Sequence, residues 1–108
     1  MKTLFFLLAM LFVVQTFSQT WQLVWNDEFD GDALDTTKWG YDIGTGCEIN
    51  LCGWGNNEKQ YYRKENVSVA DGMLSITSMK EKYASNEYTS GRINTSGKAS
   101  WTYGKMEA

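Results

Sequence analysis

The segment from Cys47 to Tyr62 (Cys-Glu-Ile-Asn-Leu-Cys-Gly-Trp-Gly-Asn-Asn-Glu-Lys-Gln-Tyr-Tyr) holds the side chains best suited to ligand chemistry in this sequence. Trp54, Tyr61 and Tyr62 offer flat apolar faces on which a sugar ring can lie, and Asn56, Asn57 and Gln60 carry amides that pair with hydroxyls. Gly53 and Gly55 let the backbone come close to a ligand, because they lack a Cβ and tolerate positive φ. A hydrophobic core has no use for so many hydrogen-bonding groups, each of which needs a partner once buried. Two readings follow: a groove for a polar ligand, or an Asn/Gly-rich surface loop pinned by one buried tryptophan.

Several other chemistries are excluded within these residues. There is no histidine, which removes a Ser-His-Asp triad, a Cys-His pair and a His-based zinc site. Cys47 and Cys52 alone supply too few ligands for a zinc centre. The formal net charge is −3, with acidic and basic residues interspersed and no run of one sign. That balance makes nucleic acid and anionic membranes poor partners, and it is compatible with a neutral polymer.

The N-terminus reads as an export signal. Lys2 supplies a short positive start, Leu4 to Val14 is an unbroken apolar run, and Thr16-Phe17-Ser18 sets small residues around a larger one, as a signal peptidase requires. The run is shorter than the roughly 18 to 20 residues of a membrane span, so no anchor is expected once residues 1–18 are removed and Gln19 becomes the new end. A secreted, periplasmic or cell-surface protein is expected. In such an oxidising compartment Cys47 and Cys52, with four residues between them, favour a disulfide over free thiols. So short a ring stabilises less than the ~3 kcal/mol of a 15-residue loop; its expected role is to shape the chain ahead of Gly53-Trp54-Gly55.

The elements that must hold these groups read as β-structure. Trp21 to Phe29 alternates in part, with Trp21, Leu23 and Trp25 on one side, and suits a strand with one buried face. The acidic stretch Asp27 to Asp35 contains Gly31 and reads as a turn, and Trp39 to Ile43 is a short apolar piece. Asp71-Gly72 between residues 66–70 and 73–77 is a two-residue hairpin signal, since this pair accepts the positive φ values of a type I′ turn. Val67 and Val69 are expected to share one face, as are Leu74 and Ile76. Residues 80–87 read as a loop. Residues 88–95 and 99–108 read as a further strand pair joined by Ser96-Gly97-Lys98. The sequence therefore predicts an antiparallel all-β chain of six or seven strands with one sheet and part of another, too little for a closed sandwich. Apolar surface and sheet edges are expected to remain exposed.

The motifs, taken in order, resemble glycoside hydrolase family 16. Trp25-Asn26-Asp27-Glu28-Phe29-Asp30-Gly31, Leu34-Asp35 and Lys38-Trp39 resemble its N-terminal signature, and Gly53-Trp54-Gly55-Asn56-Asn57-Glu58-Lys59-Gln60-Tyr61-Tyr62 resembles a segment of its laminarinase-type β-1,3-glucanases. Asn66-Val67 with Asp71-Gly72-Met73-Leu74, then Ser90-Gly91-Arg92-Ile93-Asn94-Thr95, then Tyr103-Gly104-Lys105-Met106-Glu107-Ala108 continue the similarity in family order over nearly all of residues 19–108.

The resemblance implies a β-sandwich of the concanavalin A-like jelly-roll kind, with residues 19–108 as its N-terminal part. It implies an endo-acting, retaining hydrolase of laminarin-like β-1,3-glucan, with a β-glucan as partner, a monomeric state and no cofactor in the chemistry. The family's two catalytic glutamates lie on one strand in a Glu-x-Asp-x-x-Glu or Glu-x-Asp-x-Glu pattern, and no strand of that pattern occurs here. Glu48-Ile49-Asn50-Leu51-Cys52-Gly53 has Asn50 in place of the aspartate and Cys52 or Gly53 in place of the second glutamate. The catalytic strand is expected beyond Ala108, so no catalytic residue is assigned, and Glu28, Glu58 and Glu107 are read as structural.

By the same resemblance Asn56, Asn57 and Arg92 are candidate donors to glucose hydroxyls; the five donors of Arg92 suit adjacent hydroxyls. The competing reading pairs Arg92 with a carboxylate such as Glu58. Trp54 is either a platform for a sugar face or the pin of its loop. A structural calcium ion is implied, with the backbone carbonyls of Glu28 and Gly72 among its ligands. Asn66-Val67-Ser68 and Asn94-Thr95-Ser96 fit the glycosylation pattern and are read as chance. Other functions with these motifs are a non-catalytic glucan-binding module of the same fold and an enzyme acting on mixed-linkage glucan or algal galactan. A secreted adhesion sandwich is a more distant alternative.

Overall fold

The computed structural model describes residues 20–108, so the expected signal segment and its cleavage point after Ser18 lie outside the described residues. The strands are β1 (Gly40–Tyr41), β2 (Gln60–Tyr62), β3 (Val67–Ala70), β4 (Met73–Ile76), β5 (Tyr88–Ser90) and β6 (Ile93–Asn94), with short 3-10 turns at Cys47–Ile49, Cys52–Gly55 and Lys64–Asn66. They pair two by two: β1 with β6, β2 with β5 and β3 with β4.

The β3–β4 hairpin forms where the Asp-Gly signal places it. Asp71 and Gly72 have φ of 53° and 71°, both left-handed as a type I′ turn needs. Val67 faces Ile76 and Val69 faces Leu74 across the antiparallel ladder, so the four apolar side chains share one face. Val69 is buried, whereas Ile76 is exposed.

Elsewhere the pairing departs from the expected meander. β2 and β5 run parallel, in the register Gln60↔Tyr88, Tyr61↔Thr89 and Tyr62↔Ser90. Residues 88–95 do not pair with 99–108. Instead Ile93 and Asn94 return to Tyr41 and Gly40, and residues 99–108 form no strand among those described. The local reason is the turn between them: both Lys98 and Ala99 donate backbone N–H groups to the Thr95 carbonyl, at 2.9 and 3.0 Å, and Gly97 is left-handed. This tight coil ends β6 without laying the following residues beside it.

Residues 21–29 are likewise not a strand, because no neighbour among the described residues supplies a ladder. Their order comes from side chains. Trp25 packs edge-on against Trp39 and Trp101, with ring centroids 5.2 and 5.4 Å apart. The Trp39 indole donates to Asp27 at 2.7 Å.

The interior is partly polar. Asn66 and Thr89 are fully buried, while Leu34, Tyr62 and Val69 are the buried apolar residues among those described. The Asn66 amide donates to the Thr77 carbonyl at 2.8 Å and to the Thr89 hydroxyl at 3.0 Å, and accepts from Arg63 Nε at 3.0 Å. Glu81 closes the network by accepting from Thr89 at 2.6 Å and pairing with Arg63. The expected loop 80–87 is thus fastened to β5 by charge-assisted bonds. Burial of Asn66 also withdraws the Asn66-Val67-Ser68 triplet from surface chemistry. Trp21, Leu23, Val24, Met73 and Ile76 remain exposed, as expected of a sandwich whose second layer is incomplete.

Candidate functional site

The residues from Glu58 to Tyr62 alternate across β2, so Glu58, Gln60 and Tyr62 share one face. The Tyr62 hydroxyl donates to Glu58 Oε2 at 2.7 Å, and Gln60 Nε2 donates both to the same carboxylate oxygen at 3.1 Å and to the Tyr62 oxygen at 2.7 Å. Burial, with the Glu58 hydrogen bond and charge adding to it, raises the Tyr62 pKa above the usual phenol value of 10.0. Tyr62 therefore keeps its proton and acts as a donor.

Arg92 reaches this face from the bend between β5 and β6. The ladder of β1 and β6 continues through the Asp42 N–H, which donates to the Arg92 carbonyl at 3.0 Å and so places the two side chains side by side. Arg92 Nε lies 3.0 Å from Asp42 Oδ2, and its Nη1 lies 4.0 Å from Glu58 Oε1. The other Asp42 oxygen accepts from the Asn94 amide at 2.9 Å. The guanidinium also sits over the Trp54 ring at 4.9 Å and near Tyr62 at 5.8 Å. Arg92 is half-buried, so its ion pairs are worth little each; their effect is to fix the orientation of a rigid fork of donors.

Trp54 arrives through an unusual backbone. Gly53, Trp54 and Gly55 have φ of 60°, 52° and 69°, three left-handed residues in succession. Upstream, Cys47 and Cys52 are joined by a disulfide, as the oxidising-compartment argument expected. The ring they close carries Glu48, whose carboxylate accepts from the Thr45 N–H at 3.2 and 3.3 Å. Hydrogen bonds from backbone N–H groups, its own first and then those of Thr45 and Gly46, hold its pKa below the usual 4.5. Downstream, Asn56 and Asn57 are exposed, and the Asn56 and Glu58 N–H groups both donate to the Gly53 carbonyl, at 2.9 and 3.1 Å.

The structure therefore brings together Trp54 and Arg92, while Asn56 and Asn57 follow Trp54 in the chain as exposed residues. It also gives both readings of Arg92 some reality, since the guanidinium is paired with carboxylates and still partly open to solvent. Asp42 was missed, whereas Gln60 and Tyr62 were named for their amide and ring but not as hydrogen-bond partners of Glu58. The period-two spacing of Glu58, Gln60 and Tyr62 was a usable signal, whereas the approach of Asp42 depends on a pairing some fifty residues apart and left no local trace.

Glu28 precedes this cluster in sequence and Gly72 sits in the hairpin turn, yet they are close to one another: the Glu28 carbonyl oxygen is 4.0 Å from where a Gly72 Cβ would stand. Neutral carbonyl oxygens of this kind suit calcium. Among the described residues no group of three or more His, Cys, Asp or Glu side chains forms a metal cage.

No family model matches the chain. Individual relatives do. A beta-glucanase of Rhodothermus marinus is 52% identical over 91 residues, covering 81% of this chain and 30% of that protein. The catalytic domain of an endo-1,3-beta-glucanase (laminarinase) from Thermotoga petrophila RKU-1 superposes with a TM-score of 0.76 at 41% identity, covering 81% of this chain and 36% of that one. This chain is homologous to the laminarinase-type glucanases of glycoside hydrolase family 16. Its fold is accordingly part of the laminarinase jelly roll, an all-β antiparallel sandwich in which the parallel β2–β5 contact is a local exception. The clotting factor G alpha subunit of Tachypleus tridentatus is also similar, 49% identical over 88 residues, covering 82% of this chain and 12% of that subunit. The chain thus spans about a third or less of the length of these laminarinase-type and related proteins.

Proposed function

We propose that these residues are the N-terminal part of a secreted endo-hydrolase of β-1,3-glucan, and that the Arg92 cluster binds glucose units on the non-reducing side of the cleaved bond. The observation that carries this reading is the held guanidinium: Asp42 and Glu58 flank Arg92 where it sits 4.9 Å over the Trp54 ring, and Asn56 and Asn57 are exposed just after Trp54. A neutral polyhydroxylated ligand needs such oriented donors, because it offers no charge to grip. The laminarinase-type relatives support the choice of glucan.

The chemistry itself is assigned to residues beyond Ala108. Retaining cleavage needs a nucleophile and an acid/base with carboxyls about 5 to 5.5 Å apart, whereas Asp42 and Glu58 are both engaged with Arg92. One glutamate would attack the anomeric carbon while the other protonates the leaving oxygen and later activates water. The carbonyls of Glu28 and Gly72 would hold a calcium ion that braces the N-terminal segment against the hairpin. Residues 1–18 would direct export, so intact mass of the exported protein should place its first residue at Gln19.

The test is release of reducing ends from laminarin by the full-length protein and by its Arg92→Ala variant. Loss of a hydrogen bond to a charged group costs roughly 1.5–3 kcal/mol, so kcat/KM should fall by about one to two decades. Wild-type kinetics in folded Arg92→Ala protein would remove Arg92 from the substrate site. A second reading, a glucan-binding module of the same fold without hydrolysis, shares every motif found in these residues. Laminarin binding by the full-length protein with no reducing ends released would decide for it.

A further inference from the structure

The disulfide ring and the Arg92 cluster meet at one residue. A bulky side chain at positive φ is a conformational outlier that persists only where its surroundings over-determine it, and Trp54 at φ 52° is such a residue. On one side it is set by the ring that Cys47 and Cys52 close. Immediately before that ring, the Gly46 carbonyl accepts from the ring residues Ile49 at 3.2 Å and Leu51 at 2.8 Å. A Cβ on Gly46 would collide with the Leu51 carbonyl and lie 3.1 Å from both the Trp54 ring and the Trp54 nitrogen, so the residue on which the ring is hydrogen-bonded packs directly on Trp54. On another side lies the Arg92 guanidinium, 4.9 Å from the indole.

We infer that the Cys47–Cys52 disulfide is a positioning device for Arg92, acting through Trp54. The link tethers the two ends of the ring; the ring fixes Gly46 and Leu51 against the left-handed turn; the turn presents the indole; and the indole supports the guanidinium from below while Asp42 and Glu58 hold its edges. Arg92 serves as the ligand-facing group in this scheme, so its kinetic consequence rests on the glucan reading above. Reduction would leave Asp42 and Glu58 in place but free the platform, so Arg92 would sample other orientations. Ligand affinity would weaken without any loss of reacting groups.

Two readouts separate this from a general staple. The first needs no substrate: the Arg92 Nε–H resonance of the folded full-length protein. It should shift when the native protein is reduced with a phosphine, shift likewise in Cys47→Ala/Cys52→Ala, and shift again in Gly46→Ala, which keeps both cysteines but forces the ring off Trp54. In a Trp54→Ala background, reduction should leave it unmoved. The second is kinetic: cysteine replacement should raise the KM for laminarin about three- to tenfold with kcat little changed, and less than about twofold once Trp54 is alanine, the non-additivity expected of coupled groups. An Arg92 resonance indifferent to reduction, or one that moves equally with and without Trp54, overturns the inference. Should no form of the protein hydrolyse laminarin, the hydrolytic reading falls, while the resonance still decides whether the disulfide positions Arg92.

Discussion

Arg92 and Asn66 show how differently a single polar side chain can be used. Arg92 has its charge answered by Asp42 at 3.0 Å and Glu58 at 4.0 Å, and it sits 4.9 Å over the Trp54 ring. That arrangement needs a planar, forked cation. Arg92→Lys keeps the charge but concentrates it on one nitrogen that cannot serve Asp42, Glu58 and the indole together. The expected result is a rise in KM for laminarin approaching that of Arg92→Ala, with thermal stability nearly unchanged because the group is half-exposed; a lysine variant with wild-type KM would show that charge alone suffices. Asn66 is the opposite case. Its amide is buried and satisfies the Thr77 carbonyl, the Thr89 hydroxyl and Arg63 at once. Asn66→Ala strands those partners, at about 1–3 kcal/mol, so urea unfolding of the full-length variant should show a lower midpoint with laminarin KM preserved.

At the scale of elements, the β3–β4 hairpin is the part whose sequence and structure agree in detail. Asp71 and Gly72 both occupy left-handed conformations, and the turn sets the register of four apolar side chains. Gly72→Ala should therefore destabilise by about 1 kcal/mol, because alanine resists φ near 70°, and a chemical-denaturation midpoint equal to wild type would mean the turn relaxes. The hairpin was legible because everything that specifies it lies within a dozen residues. The disulfide was legible for a different reason, the inferred compartment together with close spacing. What was not legible is long-range pairing. Alternation identified a strand-like pattern in residues 21–29 and 99–108, yet alternation says only which side chains share a face and not whether a neighbouring strand exists to accept the backbone. Parallel contact between β2 and β5 joins residues 28 positions apart and the return of β6 to β1 joins residues 52 and 54 apart, and no local signal encodes either. The candidate site shared that fate in part. Trp54, Arg92 and the asparagines came from motif resemblance and Glu58 as a possible partner, whereas Asp42 entered only with the β1–β6 register.

For the molecule as a whole, the deciding fact is how little apolar surface these residues bury. Leu34, Tyr62 and Val69 are buried, while Trp21, Leu23, Val24, Met73 and Ile76 are exposed. The three ladders have two strands each, and paired strands need a second layer over their apolar faces before they are stable alone. The laminarinase-type relatives are longer, and this chain covers 30% of one and 36% of another. The proposed function places the nucleophile and acid/base beyond Ala108. Both arguments give one expectation: residues 1–108 expressed alone should bind an apolar dye such as ANS strongly, unfold without a sharp cooperative transition and release no reducing ends from laminarin, whereas the full-length protein should do the reverse on all three counts. The combination matters, since inactivity by itself would follow from misfolding. Adding the purified remainder of the full-length protein in trans should restore the cooperative transition and the activity together, because burial of the exposed faces and assembly of the cleft are the same event. Hydrolysis by the purified 1–108 piece, folded or not, would overturn the placement of the catalytic pair beyond Ala108.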